Sequence, residues 1–276
     1  MIERSPLHYI EQGSGVPLVL FHAFPLSGAM WHGEMKQLHP LVRVIAPDLP
    51  GFGSSARLPQ PSIAGMAQAV ATLLDRLNIR EPALIAGLSM GGYVAFEFLR
   101  QFPTRVKALG LFSTRAAADS PQQRQGRLNL IERLKKEGIE VLIQSTLPKL
   151  LGPTTMRNQP TLVSQVEQAI RQATVEGITD ALQAMADRRD SGSLLAGIAC
   201  STLVMAGAED TLIPAQEGEG MAKSIPGARL EIIPQAGHLM NLEQPDTFQS
   251  VIGSWIRHII TKEERHDEDQ RTRSTH

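Results

Sequence analysis

The segment Gly87-Leu88-Ser89-Met90-Gly91 places a serine between glycines two before and two after it, with Gly92 directly behind. That pattern marks a sharp turn from strand to helix, because larger residues at the flanking positions would collide. A serine raised on such a turn points its Oγ into accessible space. The helix starting beneath it brings backbone N–H donors and a positive dipole end close to developing negative charge. The chemistry this suits is attack by a hydroxyl nucleophile. A glycine-rich turn can also merely pack a helix on a strand, and it is the flanking strand and helix patterns that favour the nucleophile.

A serine hydroxyl is a weak nucleophile until a neighbouring base takes its proton. Of the eight histidines, His266 and His276 lie in a polar tail, His258 in the last helical pattern and His8 ahead of the core. His32 and His39 belong to the first helical segment and its end. His22 directly follows an apolar run, where a structural role in holding a loop is expected. His238 stands apart, in the loop after the last strand pattern, Arg229-Leu230-Glu231-Ile232-Ile233. Parallel strands share their carboxyl edge, so that loop leaves the sheet at the same rim as the serine turn and can carry a base.

The base needs a carboxylate that orients it and stabilises the imidazolium. Asp210, in Ala206-Gly207-Ala208-Glu209-Asp210, is the expected acid. Glu209 is its rival, since adjacent side chains project differently and cannot both face His238. Two donors must then receive the oxyanion of a tetrahedral intermediate. The expected pair is the backbone N–H of Met90, just after the serine, and that of Phe24 in His22-Ala23-Phe24-Pro25. Pro25 has no N–H and helps to set the path of that loop.

These residues need a scaffold, and the chain supplies a rhythm of short apolar runs and helical stripes. Runs at 17–22, 42–46, 83–87, 106–112, 202–206 and 229–233 read as strands. Most are too continuously apolar to have a wet face, which suits parallel strands covered on both sides. Ser62 is a plausible N-cap for a stripe at Ile63, Met66, Val70, Leu73, Leu74 and Leu77. A late helix opens near Pro245 and carries Phe248, Val251, Ile252, Trp255, Ile256 and Ile259 on one side. The alternation predicts an α/β protein with a doubly wound, mostly parallel sheet. It stops over 114–199, which reads as consecutive helices and is expected to be an inserted cap over the carboxyl ends of the strands. The core then comprises 1–113 and 200–260, and the polar tail 261–276 is expected to be disordered.

Composition narrows the classes. With 27 Lys and Arg against 28 Asp and Glu, the chain lacks the basic excess of a nucleic-acid or membrane-surface binder. A single cysteine, Cys200, excludes an internal disulfide and reads as packing. Met1-Ile2-Glu3-Arg4-Ser5-Pro6 has no apolar run after a basic end, so no secretory leader is expected. No run approaches the ~18 apolar residues of a membrane span. A cytoplasmic location is the expectation. No metal or nucleotide motif is visible, and no cofactor is expected.

Five segments together carry a resemblance: Val19 to Leu26, Ile45 to Ser55, Gly87 to Gly92, Leu203 to Asp210 and Ala236 to Pro245. In this order they resemble the α/β-hydrolase-fold serine hydrolases. The chain is most similar to small bacterial carboxylesterases and the related 3-oxoadipate enol-lactonases. The resemblance implies Ser89 as nucleophile, Asp210 as acid, His238 as base, and Phe24 with Met90 as oxyanion hole. It also makes the helical interval a cap domain. Two positions depart from it. Ala23 stands where the family usually has glycine, and Pro50 where many relatives have arginine. The implied activity is carboxylic ester hydrolysis through an acyl-enzyme, on short- to medium-chain esters held in an enclosed apolar pocket. Alternatives are enol-lactone hydrolysis, then a perhydrolase, a carbon–carbon bond hydrolase, or a non-catalytic small-ligand sensor. Arg115, where the cap begins, is expected either to meet an acidic substrate or to be solvent-facing or ion-paired.

Overall fold

The computed structural model describes residues 7–274, with side chains as far as 262. Residues 1–6 and 275–276 lie outside the described residues. Seven strands form one sheet: β1 (Tyr9–Gln12), β2 (Pro17–Phe21), β3 (Arg43–Pro47), β4 (Ala83–Leu88), β5 (Val106–Phe112), β6 (Ser201–Gly207) and β7 (Arg229–Ile233). Their spatial order is β1-β3-β2-β4-β5-β6-β7. All neighbouring pairs are parallel except β1 on β3, where Tyr9 faces Pro47 and Gln12 faces Val44. Every residue of β2 and β4 is buried, as their unbroken apolar runs require of strands covered on both faces.

The helices that cover the sheet are α1 (His32–Leu38), α2 (Ile63–Arg76) and α3 (Met90–Gln101) before residue 114. After residue 199 come α9 (Ala215–Ser224), α10 (Met240–Glu243) and α11 (Pro245–Ser274). Ser62 caps α2 as its pattern predicts, its Oγ accepting from Gly65 N at 3.0 Å. Phe248, Ile252, Trp255 and Ile256 of α11 are buried, in line with their spacing.

One feature differs from expectation. β1 is not legible as a strand, because Tyr9 and Ile10 are adjacent rather than alternating and Glu11 and Gln12 face solvent at the sheet edge. Past 261 the backbone of α11 runs on to Ser274. The stretch has no glycine or proline and is rich in Glu and Arg, which propagate a helix already nucleated on the core.

Between Phe112 and Ser201 no strand occurs among the described residues. Five helices fill the interval: α4 (Pro121–Glu137), α5 (Glu140–Leu150), α6 (Pro153–Asn158), α7 (Pro160–Arg171) and α8 (Val175–Ala186). A capping box starts α4, with Ser120 Oγ accepting from Gln123 N and the Gln123 side chain accepting from Ser120 N. Val166 and Ile170 of α7 and Ile178 and Leu182 of α8 bury the faces that their spacing marks out.

The helical block is tied to the sheet domain at several points. Arg57 clasps Asp180 of α8 with two bonds of 2.6 and 2.9 Å. Beside it Gly51 and Gly177 meet backbone to backbone, so that a Cβ on Gly51 would stand 3.2 Å from the Gly177 Cα. At the start of the block the Asp119 side chain is wholly buried and accepts from Arg127 Nε at 2.5 Å and Arg188 Nη1 at 2.6 Å. The Arg188 guanidinium also lies 4.1 Å from the centre of the Tyr93 ring on α3. Burial opposes the charge of Asp119, but the two guanidiniums outweigh it and hold the carboxyl below its ordinary pKa. Removing one member of a buried ion cluster strands the others without a partner. Asp119→Ala should therefore lose on the order of 3 kcal/mol of stability in urea unfolding. A loss below about 1 kcal/mol, the range of an exposed pair, would contradict this assignment.

Candidate active site

Ser89 sits between β4 and α3 with φ +57° and ψ −113°, a backbone conformation that a side chain rarely adopts. Three close approaches hold it there. A Cβ on Gly87 would run into the Gly91 carbonyl, and one on Gly91 into the Phe21 carbonyl of β2. One on Gly92 would strike the Thr114 side chain. The strained residue is anchored on both sides: Ser89 N donates to Phe112 O at 2.8 Å, and Thr114 Oγ1 donates to Ser89 O at 2.9 Å. The turn is built by backbone packed on backbone, which is why glycine recurs in it.

His238 follows β7 and is fully buried. Its Nδ1 lies 2.8 Å from Asp210 Oδ2. Asp210 is held from the other side, its Oδ1 accepting from Leu212 N and Ile213 N at 2.9 Å each. An anchored carboxylate of this kind selects the tautomer with the proton on Nδ1 and leaves Nε2 as the basic atom. Nε2 is buried and makes no hydrogen bond, so Ser89 and His238 share the rim without being bonded to each other. Catalytic hydrogen bonds are commonly long before substrate binds and tighten in the complex. Glu209 turns away from the imidazole, accepting instead from Thr154 Oγ1 at 2.5 Å and Thr154 N at 2.8 Å. Those bonds hold its carboxyl below the ordinary range. Of the two neighbouring carboxylates, Asp210 is the one at the imidazole.

The loop after β2 carries Phe24. Ala23 N donates to Met30 Sδ at 3.3 Å, and Leu26 N donates to Ala23 O at 2.9 Å. The Phe24–Pro25 peptide is cis. Met90 opens α3, so its N–H has no acceptor within the helix. His22 spans the loop as its position suggests. Its Nε2 accepts from Leu49 N at 2.9 Å, and its Nδ1 lies 3.0 Å from Ala23 O and donates to it. Burial drives the His22 pKa down to about 4, so the ring stays neutral and can accept on one nitrogen while donating on the other.

Two residues that sequence reasoning passes over also shape the site. Asp48 pins the turn facing the Phe24 loop, accepting from Gly28 N at 2.8 Å, Ser54 N at 2.9 Å and His8 Nδ1 at 2.7 Å. Its signal is an aspartate at the head of a Gly- and Ser-rich turn. Glu243 lies buried beneath the His238 loop. Nothing in its spacing sets it apart from a surface helix residue. Arg115 is half-buried against Tyr93, with its Nε buried and without a partner. Among the described residues no group of three or more His, Cys, Asp or Glu side chains is placed to hold a metal. None of the described helices is long and apolar enough to cross a membrane.

Residues 16–245 match the family model described as the alpha/beta hydrolase fold. The chain belongs to that family. Among solved structures it is similar to a thermophilic esterase from Thermogutta terrifontis, determined with malate bound. The two share 38% identity and superpose with a TM-score of 0.89 over 92% of this chain and 93% of that one. An enol-lactonase from Burkholderia xenovorans follows at 25% identity and a TM-score of 0.83, over 91% of this chain and 96% of the other. The sequence is also 26% identical over 236 residues to 3-oxoadipate enol-lactonase 2 of Acinetobacter baylyi, covering 85% and 86% of the two chains. The protein is thus a hydrolase of the α/β-hydrolase family, with esterases and enol-lactonases among its relatives.

The state of His22 gives the site a measurable pH dependence. An imidazole free to protonate at about 6.5 when unfolded, but only near 4 when folded, binds more protons in the unfolded chain between those values. Its contribution is complete above pH 6.5 and is lost as pH falls towards 4. Moving from pH 7 to 4.5 should cost the parent about 2 kcal/mol more than His22→Gln, compared by urea unfolding at both values. Equal losses in the two proteins would mean that His22 titrates normally in the fold.

Proposed function

We propose that the protein is a carboxylic ester hydrolase working through Ser89, His238 and Asp210. The observation that supports this most directly is the buried Asp210–His238 pair, at 2.8 Å, on the rim where the strained turn raises Ser89. In this reading His238 Nε2 takes the Ser89 proton as Oγ attacks the ester carbonyl. The oxyanion lies between the N–H groups of Phe24 and Met90. Collapse breaks the bond to the alkoxy oxygen, which leaves as the alcohol with the proton that His238 returns. Water, deprotonated by the same nitrogen, then attacks the acyl-enzyme, releases the acid and restores Ser89. The cap's leucine, isoleucine and methionine side chains suit short to medium acyl groups. Nucleophile, base, acid and donors complete this chemistry without an added group.

A second reading is enol-lactone hydrolysis, favoured by the relatives named as enol-lactonases. The steps are the same, except that the leaving oxygen stays tethered to the acyl group. Both readings expect an organophosphonate to label Ser89 stoichiometrically. They also expect Ser89→Ala to lower kcat by about a factor of 10⁴ or more. A panel of p-nitrophenyl esters graded by chain length, run beside an enol-lactone, separates the two. Turnover should peak at short to medium acyl chains; activity confined to emulsified long-chain lipid would reject the ester reading. Slow labelling with no turnover of either class would identify a ligand sensor instead.

A further inference from the structure

The carboxylate of Glu243 bridges two parts of the molecule. Its Oε1 accepts from Gly237 N at 2.9 Å and from Leu239 N at 3.2 Å, the residues on either side of His238. Its Oε2 accepts from Gly152 N at 2.7 Å, in the helical block between α5 and α6. The residue is 2% exposed. The same block segment makes three further bonds to the rim. Leu239 N also donates to Leu150 O at 3.1 Å, and Thr154 donates twice to Glu209, the neighbour of Asp210.

The contact leaves no slack. A Cβ on Gly237 would overlap the Gly152 backbone, and one on Gly152 would stand 2.7 Å from Glu209 Oε2 and 2.9 Å from Gly237 N. Gly237 is therefore pressed between the helical block and the end of β6, where a Cβ on Gly207 would meet the Gly237 carbonyl. Buried backbone N–H groups must find acceptors, and one carboxylate supplies an acceptor to both neighbours of His238. The direction of the imidazole is set by that short stretch of backbone.

We propose that Glu243 is a positioning residue for the base: together with Glu209, it fastens the segment 150–155 to the loops carrying His238 and Asp210. The cap thereby sets where the imidazole stands, in addition to covering the substrate. This rests on the reading of His238 as the base. Glu243 itself touches neither substrate nor the reacting atoms.

The test is Glu243→Gln, which keeps shape and volume but offers one acceptor oxygen where the carboxylate offers two. Whichever way the amide sits, its NH₂ faces an N–H donor, so the bond to Gly152 or the pair flanking His238 is lost. For a base displaced by a fraction of an ångström, kcat should fall about ten- to a hundredfold with KM within about twofold. Phosphonate labelling of Ser89 should slow by the same factor. The variant's circular dichroism and melting curve establish that it is folded. Thr154→Val serves as a second variant, removing only the hydroxyl bond to Glu209. It should lower kcat and the labelling rate about two- to fivefold, again without moving KM.

Parental kcat and labelling rate in folded Glu243→Gln overturn the proposal, as does a change confined to KM. If Glu243→Gln does not fold, parental values in Thr154→Val overturn it. A parent protein that labels at Ser89 but turns over neither ester nor lactone rejects the proposed reaction alone. The labelling rates of the variants still decide the role of Glu243 in that case.

Discussion

The structure depends on how closely backbone approaches backbone beneath Ser89. Gly87, Gly91 and Gly92 remove the side chains that would keep β4, α3, β2 and the Thr114 loop apart. A positive φ at a serine is unfavourable by itself and persists only because its surroundings leave no alternative. Here those surroundings are the buried centre of the sheet, with β2 and β5 on either side of β4 and α3 laid across them. The strain is thus held by the most tightly packed part of the molecule. In return, the hydroxyl stands at the end of a helix dipole and at the carboxyl rim of every parallel strand.

Around that point, polar groups are placed by burial as much as by bonding. His22 is neutral because it is buried, and only a neutral ring can accept from Leu49 while donating to Ala23. Asp210 spends one oxygen on two backbone N–H groups and keeps the other for His238. Asp48 serves three donors around the Phe24 loop. In each case a side chain closes the hydrogen bonds of a loop that secondary structure cannot satisfy.

Much of this is legible in the amino-acid order because it is local. The glycines around Ser89, the apolar runs of the buried strands and the Ser62 cap each act within a few residues, so their patterns survive in one dimension. The pairing of Asp210 with His238 follows from topology, since parallel strands bring their following loops to one edge. What escapes is whatever depends on distant neighbours. β1 owes its existence to pairing with β3 rather than to its own four residues. Glu243 reads as one more polar residue near a helix start, and only the fold brings Gly152 to it across 91 positions.

Two pairs of glycines, Gly51 with Gly177 and Gly152 with Gly237, mark where the helical block and the sheet domain touch without side chains between them. They amount to a footprint for anyone wishing to transplant a roof from a relative. A grafted helical block would have to bring bare backbone to both points, whatever its helices look like elsewhere.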